Sequence, residues 1–169
     1  MFESYITTLL STKHSKENFT CGKDMLDNYL HMQAKQDVKR KLTACFILSD
    51  DDVIVKGYYT LSNTSVNRDF LPENIIKKLP PSYKLLPATL LGRLAVDINY
   101  KGQGVGTNLL MDALKRSYLN SLQIASMAVI VDPLDKEAIA FYNHFGFIEL
   151  PDSGKMFLPM SQLEQIFIS

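Results

Sequence analysis

The sequence predicts an α/β fold on three observations. Its second half alternates strand, helix, strand and helix in "ATLLGRLAVD", "GVGTNLLMDALKRSYLN", "IASMAVIV" and "DKEAIAFYNHF". Its first half sets two β-rich runs, "LTACFILS" and "VIVKGYYTLSNTSV", on either side of the acidic turn "DDD", the pattern of a hairpin. The length, 169 residues with 46% hydrophobic and 21% charged, fits a single globular domain spanning residues 1–169 with no linker, repeat or low-complexity tract.

In chain order, "SYITTLL" suits a first strand. "CGKDMLDNYLHMQAKQ" follows as an amphipathic helix, with Met25, Leu26, Tyr29, Met32 and Gln33 at helical spacing and "VKRK" as a basic tail. After the hairpin, Asn67 to Pro87 reads as irregular, with a short helix at "PENIIKKL" stopped by Pro80 and Pro81. In the helix from Val105 to Tyr118, Val105, Leu109, Ala113, Leu114 and Tyr118 share a core face, and Asp112, Lys115 and Arg116 face water. The helix at "DKEAIAFYNHF" closes at Gly146. "GFIEL" and "KMFLPM" add two strands, and Ser161 with Glu164 offers a capping box for a last helix.

The 18 basic and 18 acidic residues cancel, so attraction to nucleic acid must come from a local patch rather than a global field. Cys21 and Cys45 lie outside any C-x-x-C pattern, which argues against a disulfide framework and a structural zinc site. "MFESYITTLL" has no basic lead or cleavage signal and no apolar run reaches membrane-spanning length, so the cytosol is the expected compartment and no membrane partner is expected. The sequons at Asn18 and Asn63 carry no weight there. His14, His31 and His144 have neither metal-ligand nor triad spacing and are expected to be surface or structural.

The chemistry points to "DINYKGQGVGTNLL". Glycines between a strand and a helix let backbone N–H groups curl around an anion, and the helix adds its positive end. A dinucleotide fingerprint needs G-x-G-x-x-G, and a Walker loop needs a closing G-K-[ST]; "GQGVGT" has neither. An anion-binding turn and a purely structural turn both remain open at this level.

"RLAVDINYKGQGVGTNLLMDAL" resembles the acyl-CoA motif of the GNAT N-acetyltransferases, R/Q-x-x-G-x-G/A, with Lys101 or Gln103 where arginine or glutamine is usual. "DKEAIAFYNHFGF" resembles that family's second hallmark, with Asp135 replacing asparagine. "NFTCGKDMLDNYLHMQAKQD", "GYYTLS" and "LPPSYKLLPATLLGRLAVD" extend the likeness to the GNAT-type toxins of bacterial toxin-antitoxin modules, which acetylate the amino group of aminoacyl-tRNA.

The resemblance implies the GNAT fold, a mixed central sheet with splayed central strands flanked by helices, and acetyl-CoA as cosubstrate with no metal. The backbone of Leu94, Ala95 and Val96 would hold pantetheine. The amides from Gly102 through Gln103, Gly104, Val105 and Gly106 to Thr107 would hold pyrophosphate, with Lys101 adding a point charge. Tyr142 would protonate the departing thiolate; a phenol of reference pKa about 10 can serve a leaving group of about 8.5. Without that resemblance Tyr142 reads as a core aromatic.

No general base stands out. A lysine acceptor with pKa about 10.4 needs one more than an α-amino group of about 7.7, which favours an aminoacyl ester as acceptor. Lys35, Lys39, Arg40 and Lys41 form the one notable basic cluster, and Arg93 lies beside the pantetheine strand. These residues would meet tRNA phosphates, or the cluster is simply a solvated helix end. Two rival readings stay open: a GNAT acting on a small or protein amine, and a CoA-binding module without turnover. A small DNA-binding antitoxin of ribbon-helix-helix type and a homodimer are further implications of the family.

Overall fold

A computed structural model describes residues 4–168. The strands are β1 (Thr8–Leu9), β2 (Ala44–Asp50), β3 (Ile54–Asn67), β4 (Leu85–Val96), β5 (Ala128–Val131), β6 (Ile148–Glu149) and β7 (Met156–Pro159). The helices are α1 (Asp24–Asn28), α2 (Ala34–Lys39), α3 (Glu73–Ile76), α4 (Val105–Ser121), α5 (Lys136–His144) and α6 (Met160–Ile168). Seven strands form a mixed sheet in the order β1-β2-β3-β4-β5-β7-β6, as the α/β reading predicts. Two compact units divide the chain: residues 4–62 with Leu91–Ala113, and Asn63–Leu90 with 114–168. No helix of the described residues is long and apolar enough to cross a membrane.

In the first unit the expected hairpin forms, with β2 antiparallel to β3 from Ala44↔Leu61 to Asp50↔Ile54 and a bulge at Leu48/Ser49. Asp51 and Asp52 make the turn with φ of 51° and 58°, a conformation aspartate tolerates better than most residues. The first strand is shorter than expected. Only Thr8 and Leu9 pair, with Ile47 and Phe46, because the Ile6 amide and the Thr7 hydroxyl turn instead to Asp112. Asp112 is therefore buried, at 7% exposure, which corrects its assignment to the water face.

Between α1 and α2 the helix widens into a π turn, Tyr29–Gln33. The inserted residue rotates the apolar face: Tyr29, Leu30 and Ala34 join the core with Phe19, Cys45 and Tyr58. Met25 and Met32, expected on that face, stand 67% and 73% exposed. Gly57 in β3 marks a close approach, since a Cβ there would lie 2.7 Å from Leu109 Cδ1 and 2.8 Å from the Ala95 carbonyl oxygen.

In the second unit Val66, Leu71, Leu86, Ala128, Ile130 and Phe157 form the core. β4 runs parallel to β5 through Thr89↔Val129 and Leu90↔Ile130 and continues beyond them to Val96. β7 pairs antiparallel with β5 and β6. The segment expected to be irregular is more ordered than it reads: β3 reaches Asn67 and β4 begins at Leu85, with Pro87 inside it. Arg68 gathers the intervening chain, donating to the carbonyls of Pro80 (2.6 Å), Ile76 (3.2 Å) and Leu79 (3.3 Å). α6 begins at Met160, so Ser161 falls inside its first turn instead of capping it.

Candidate active site

At the carboxyl end of β4, Asp97 caps a 3₁₀ turn, Ile98–Tyr100, accepting from the Asn99 amide at 2.9 Å. The glycine loop follows. Gly102 and Gly104 both take left-handed φ, 77° and 78°, and a Cβ at either would meet nothing within 4 Å. Conformation, not space, requires glycine there. Gly106 lies within α4 and needs no such φ. Lys101, Gly102, Gln103, Gly104 and Thr107 are exposed, Val105 and Gly106 half-buried. The amides of the first turn of α4 have no carbonyl of their own helix to bond. Two left-handed glycines ahead of a helix start therefore leave a run of exposed N–H donors backed by a positive dipole end, suited to a phosphate or pyrophosphate.

Ala95 is buried, while Leu94 and Val96 are half-buried on β4. The Lys101 ammonium, expected as a charge for the anion, donates to the Cys21 carbonyl at 2.7 Å. The Arg93 guanidinium carbon lies over the Tyr29 ring, 3.5 Å from its centroid. The Tyr29 hydroxyl in turn donates to Asp37 at 3.0 Å. The ring covers the guanidinium on one side, and no carboxylate among the described residues pairs with it. Lys35, Lys39 and Arg40 are exposed on α2 and just after it, also without an ion-pair partner among the described residues.

Tyr142 belongs to the second unit, on α5. It is buried against Phe147 and Phe141, with ring centroids 5.2 Å and 5.3 Å away. Its hydroxyl has no hydrogen-bond partner among the described residues. Burial pushes its phenol well above the ordinary value, so at neutral pH it is a proton donor and not a base. Asp135 explains its replacement of asparagine: it caps α5, accepting from the Ala138 amide at 2.9 Å, a task either side chain performs. Gly146 closes the helix with φ 91°, as expected.

The histidines are structural or exposed. His14 is buried, its Nδ1 accepting from the Ser11 amide at 3.1 Å; His31 Nε2 lies 2.9 Å from the Phe19 carbonyl; His144 is exposed. No group of three or more potential metal ligands occurs among the described residues.

Sequence reasoning missed three buried carboxylates. Asp112 accepts from Thr7, Tyr59 and the Ile6 amide. Asp27 holds the Cys21 amide at 2.8 Å and the Thr20 hydroxyl at 3.0 Å. Asp97 takes the Thr20 amide at 3.1 Å. For Asp112 a signal was present, since it interrupts the apolar run Leu109, Leu110, Ala113 and Leu114, all nearly inaccessible.

Residues 41–149 match the model of the acetyltransferase (GNAT) domain family. The chain is 35% identical over 130 residues to a tRNA-acetylating toxin of Mycobacterium tuberculosis (strain ATCC 25618 / H37Rv), covering 77% of this chain and 76% of that one. It is similar in structure to AtaT complexed with acetyl-methionyl-tRNAfMet, with TM-score 0.88, 29% identity and coverage of 97% and 99%. It is also similar to a tyrosine-to-phenylalanine mutant of the AtaT toxin bound to the C-terminus of the antitoxin AtaR and acetyl-CoA, with TM-score 0.81, 25% identity and coverage of 96% and 98%. The chain belongs to the GNAT acetyltransferase family.

Proposed function

We propose that this protein is a single-domain, acetyl-CoA-dependent N-acetyltransferase that acetylates the α-amino group of aminoacyl-tRNA and thereby blocks translation. The observation that carries the reading is the kinship with a tRNA-acetylating toxin over three quarters of the chain, joined to a glycine loop shaped for an anion. The exposed Lys35, Lys39 and Arg40, without an ion-pair partner among the described residues, and Arg93 supply cations for RNA phosphates despite a net charge of zero.

In this reaction the backbone of Leu94, Ala95 and Val96 holds the pantetheine arm, and the amides from Gly102 to Thr107 hold the pyrophosphate. The neutral α-amine attacks the thioester carbonyl, the C–N bond forms, and the C–S bond breaks. Tyr142 gives its proton to the departing thiolate, and the proton lost by the amine returns to the phenolate through solvent. An esterified α-amine is substantially neutral at physiological pH, which fits a site without a dedicated base. Charged tRNA as the acceptor implies the cytosol as the compartment. A small ribbon-helix-helix antitoxin and a second copy of the chain are its expected protein partners.

The test is transfer of labelled acetyl from acetyl-CoA to total charged tRNA by the purified protein. Label on aminoacyl-tRNA, absent from deacylated tRNA, is the expected result. Turnover confined to small amines or protein amines overturns the acceptor, and acetyl-CoA binding without any turnover overturns the enzyme.

A further inference from the structure

The acetyl-CoA reading leaves the stretch "FTCG", Phe19 to Gly22, unused. It also leaves unexplained a lysine whose ammonium is committed to a carbonyl. Both belong to one structure. The turn Thr20–Lys23 is stitched to the segment that leads into the glycine loop by three hydrogen bonds: Thr20 amide to Asp97 Oδ2 at 3.1 Å, Ile98 amide to the Thr20 carbonyl at 2.8 Å, and Lys101 Nζ to the Cys21 carbonyl at 2.7 Å. Asp27, itself buried, braces the turn from behind through the Cys21 amide and the Thr20 hydroxyl. Phe19 anchors its start, packed edge-on against Tyr58 with centroids 5.6 Å apart.

Gly22 completes the turn with φ 89°, its hydrogen face toward Lys101 Nζ and Ile98 Cγ2 at 3.9 Å and 4.0 Å from the position of a Cβ. Immediately after Lys101 come the two left-handed glycines, the most conformationally free residues of the loop. A loop that presents several amides to one anion binds well only if its shape is set before the anion arrives, because ordering it at that moment subtracts from affinity. No packed neighbour stands within 4 Å of where a Cβ of Gly102 or Gly104 would lie, and the Asn108 amide holds the Gly104 carbonyl at 3.0 Å, which fixes the loop at its helix end only. Order at the other end comes from Lys101, the residue on which the loop hangs.

We propose that Lys101 is a positioning residue, and that the Thr20–Lys23 turn and Lys101 together form a strap that preorganises the glycine loop for the pyrophosphate of acetyl-CoA. Lys101 acts through the backbone of Cys21 rather than on phosphate. This rests on the acetyl-CoA reading and adds a division of labour to it: amides bind the anion, and the lysine fixes the amides.

The experiment compares wild type, Lys101→Met, Lys101→Arg, Gly22→Ala and the double variant Gly22→Ala/Lys101→Met. KM and kcat are measured with acetyl-CoA and with acetyl-pantetheine, which lacks the pyrophosphate, and KM for acetyl-CoA is measured across salt concentrations. Gly22→Ala strains the turn without changing any charge. The strap predicts that Lys101→Met and Gly22→Ala each raise KM for acetyl-CoA about tenfold, with kcat and KM for acetyl-pantetheine held and the thermal transition lowered by only about 2–4 °C. The double variant is then no worse than either single one, Lys101→Arg restores most of the affinity, and the salt slope of Lys101→Met matches wild type. A wild-type KM in Gly22→Ala, or a flattened salt slope in Lys101→Met, makes the lysine a direct phosphate ligand and overturns the strap. A wild-type protein that uses acetyl-CoA no better than acetyl-pantetheine overturns the pyrophosphate reading and the strap with it.

Discussion

The Tyr59 hydroxyl donates to Asp112 Oδ2 at 2.7 Å, joining the middle of β3 to the second turn of α4 inside the core of the first unit. Thr7 donates to the same oxygen at 2.5 Å, and the Ile6 amide to the other at 2.9 Å. One carboxylate thus holds the N-terminal segment and a strand against the helix that begins at the glycine loop. Removing the carboxylate takes the shared acceptor from two buried hydroxyls and from a partly buried amide. Asp112→Ala is therefore expected to lower the unfolding free energy by about 3 kcal/mol, and Tyr59→Phe by about 1 kcal/mol. Urea unfolding of the two single variants and the double variant measures the coupling. Additive losses would mean that the hydroxyl and the carboxylate do not act as a pair.

Tyr142 makes the opposite prediction, because its hydroxyl has no partner to lose among the described residues. Tyr142→Phe keeps the ring packed on Phe147 and Phe141 and should leave the thermal transition unchanged or slightly raised. Loss of the proton donor should lower kcat by about 100-fold or more while KM for acetyl-CoA holds. The high phenol pKa adds a pH signature. The rate should climb as the acceptor amine loses its proton, with no falling limb from Tyr142 below about pH 9.5. A kcat within a factor of about three of wild type assigns the tyrosine to packing alone.

What the sequence made legible is what is local in the chain. Strand, helix, strand, helix in the second half, the "DDD" hairpin, and the glycine turn are each written in a short window of periodicity and punctuation, and each forms where expected. The misreadings of burial come from features that a regular helical period does not report. Met25 and Met32 sit at helical spacing, but a π turn between them moves the face by one residue. Asp112 looks solvated until Thr7, 105 residues earlier, is seen to cover it. Lys101, read from the sequence as a point charge for the anion, also donates to the carbonyl of Cys21, 80 residues earlier, a contact no local window shows. Periodicity reports burial by the helix's own stripe and is blind to a distant segment that folds over the other side.

The basic cluster is tested by salt as well as by substitution. Lys35, Lys39 and Arg40 have no ion-pair partner among the described residues, so neutralising them should cost little stability. If they meet RNA phosphates, replacing the three by glutamine should raise KM for aminoacyl-tRNA and reduce the slope of log affinity against log salt by about 0.7 for each phosphate no longer neutralised. Activity on a minimal acceptor, an aminoacyl ester of adenosine, should be unchanged. An unaltered salt slope would leave the cluster as a solvated helix end.

Buried titratable groups set the pH range of stability. Burial raises the Cys21 thiol to about 11, the Cys45 thiol to about 12 and the Tyr29 phenol to about 12, with Arg93 opposing the last two shifts. Each is neutral when protonated, so its contribution is complete below the unfolded value of about 9 to 10 and is lost as pH rises toward the folded one. His14 runs the other way. Burial lowers its pKa below 6.5, against the raising effects of Asp52 and the Ser11 backbone, and the cost of charging it grows as pH falls below the unfolded value. Urea midpoints should therefore be level between about pH 6.5 and 9 and decline on both sides, with a shallower acid decline in His14→Gln. Both thiols should also resist alkylation at about pH 8 in the native protein and react once it unfolds, since buried, protonated cysteines are poor nucleophiles. A midpoint unchanged between about pH 9 and 11 would show that these groups open to solvent without unfolding.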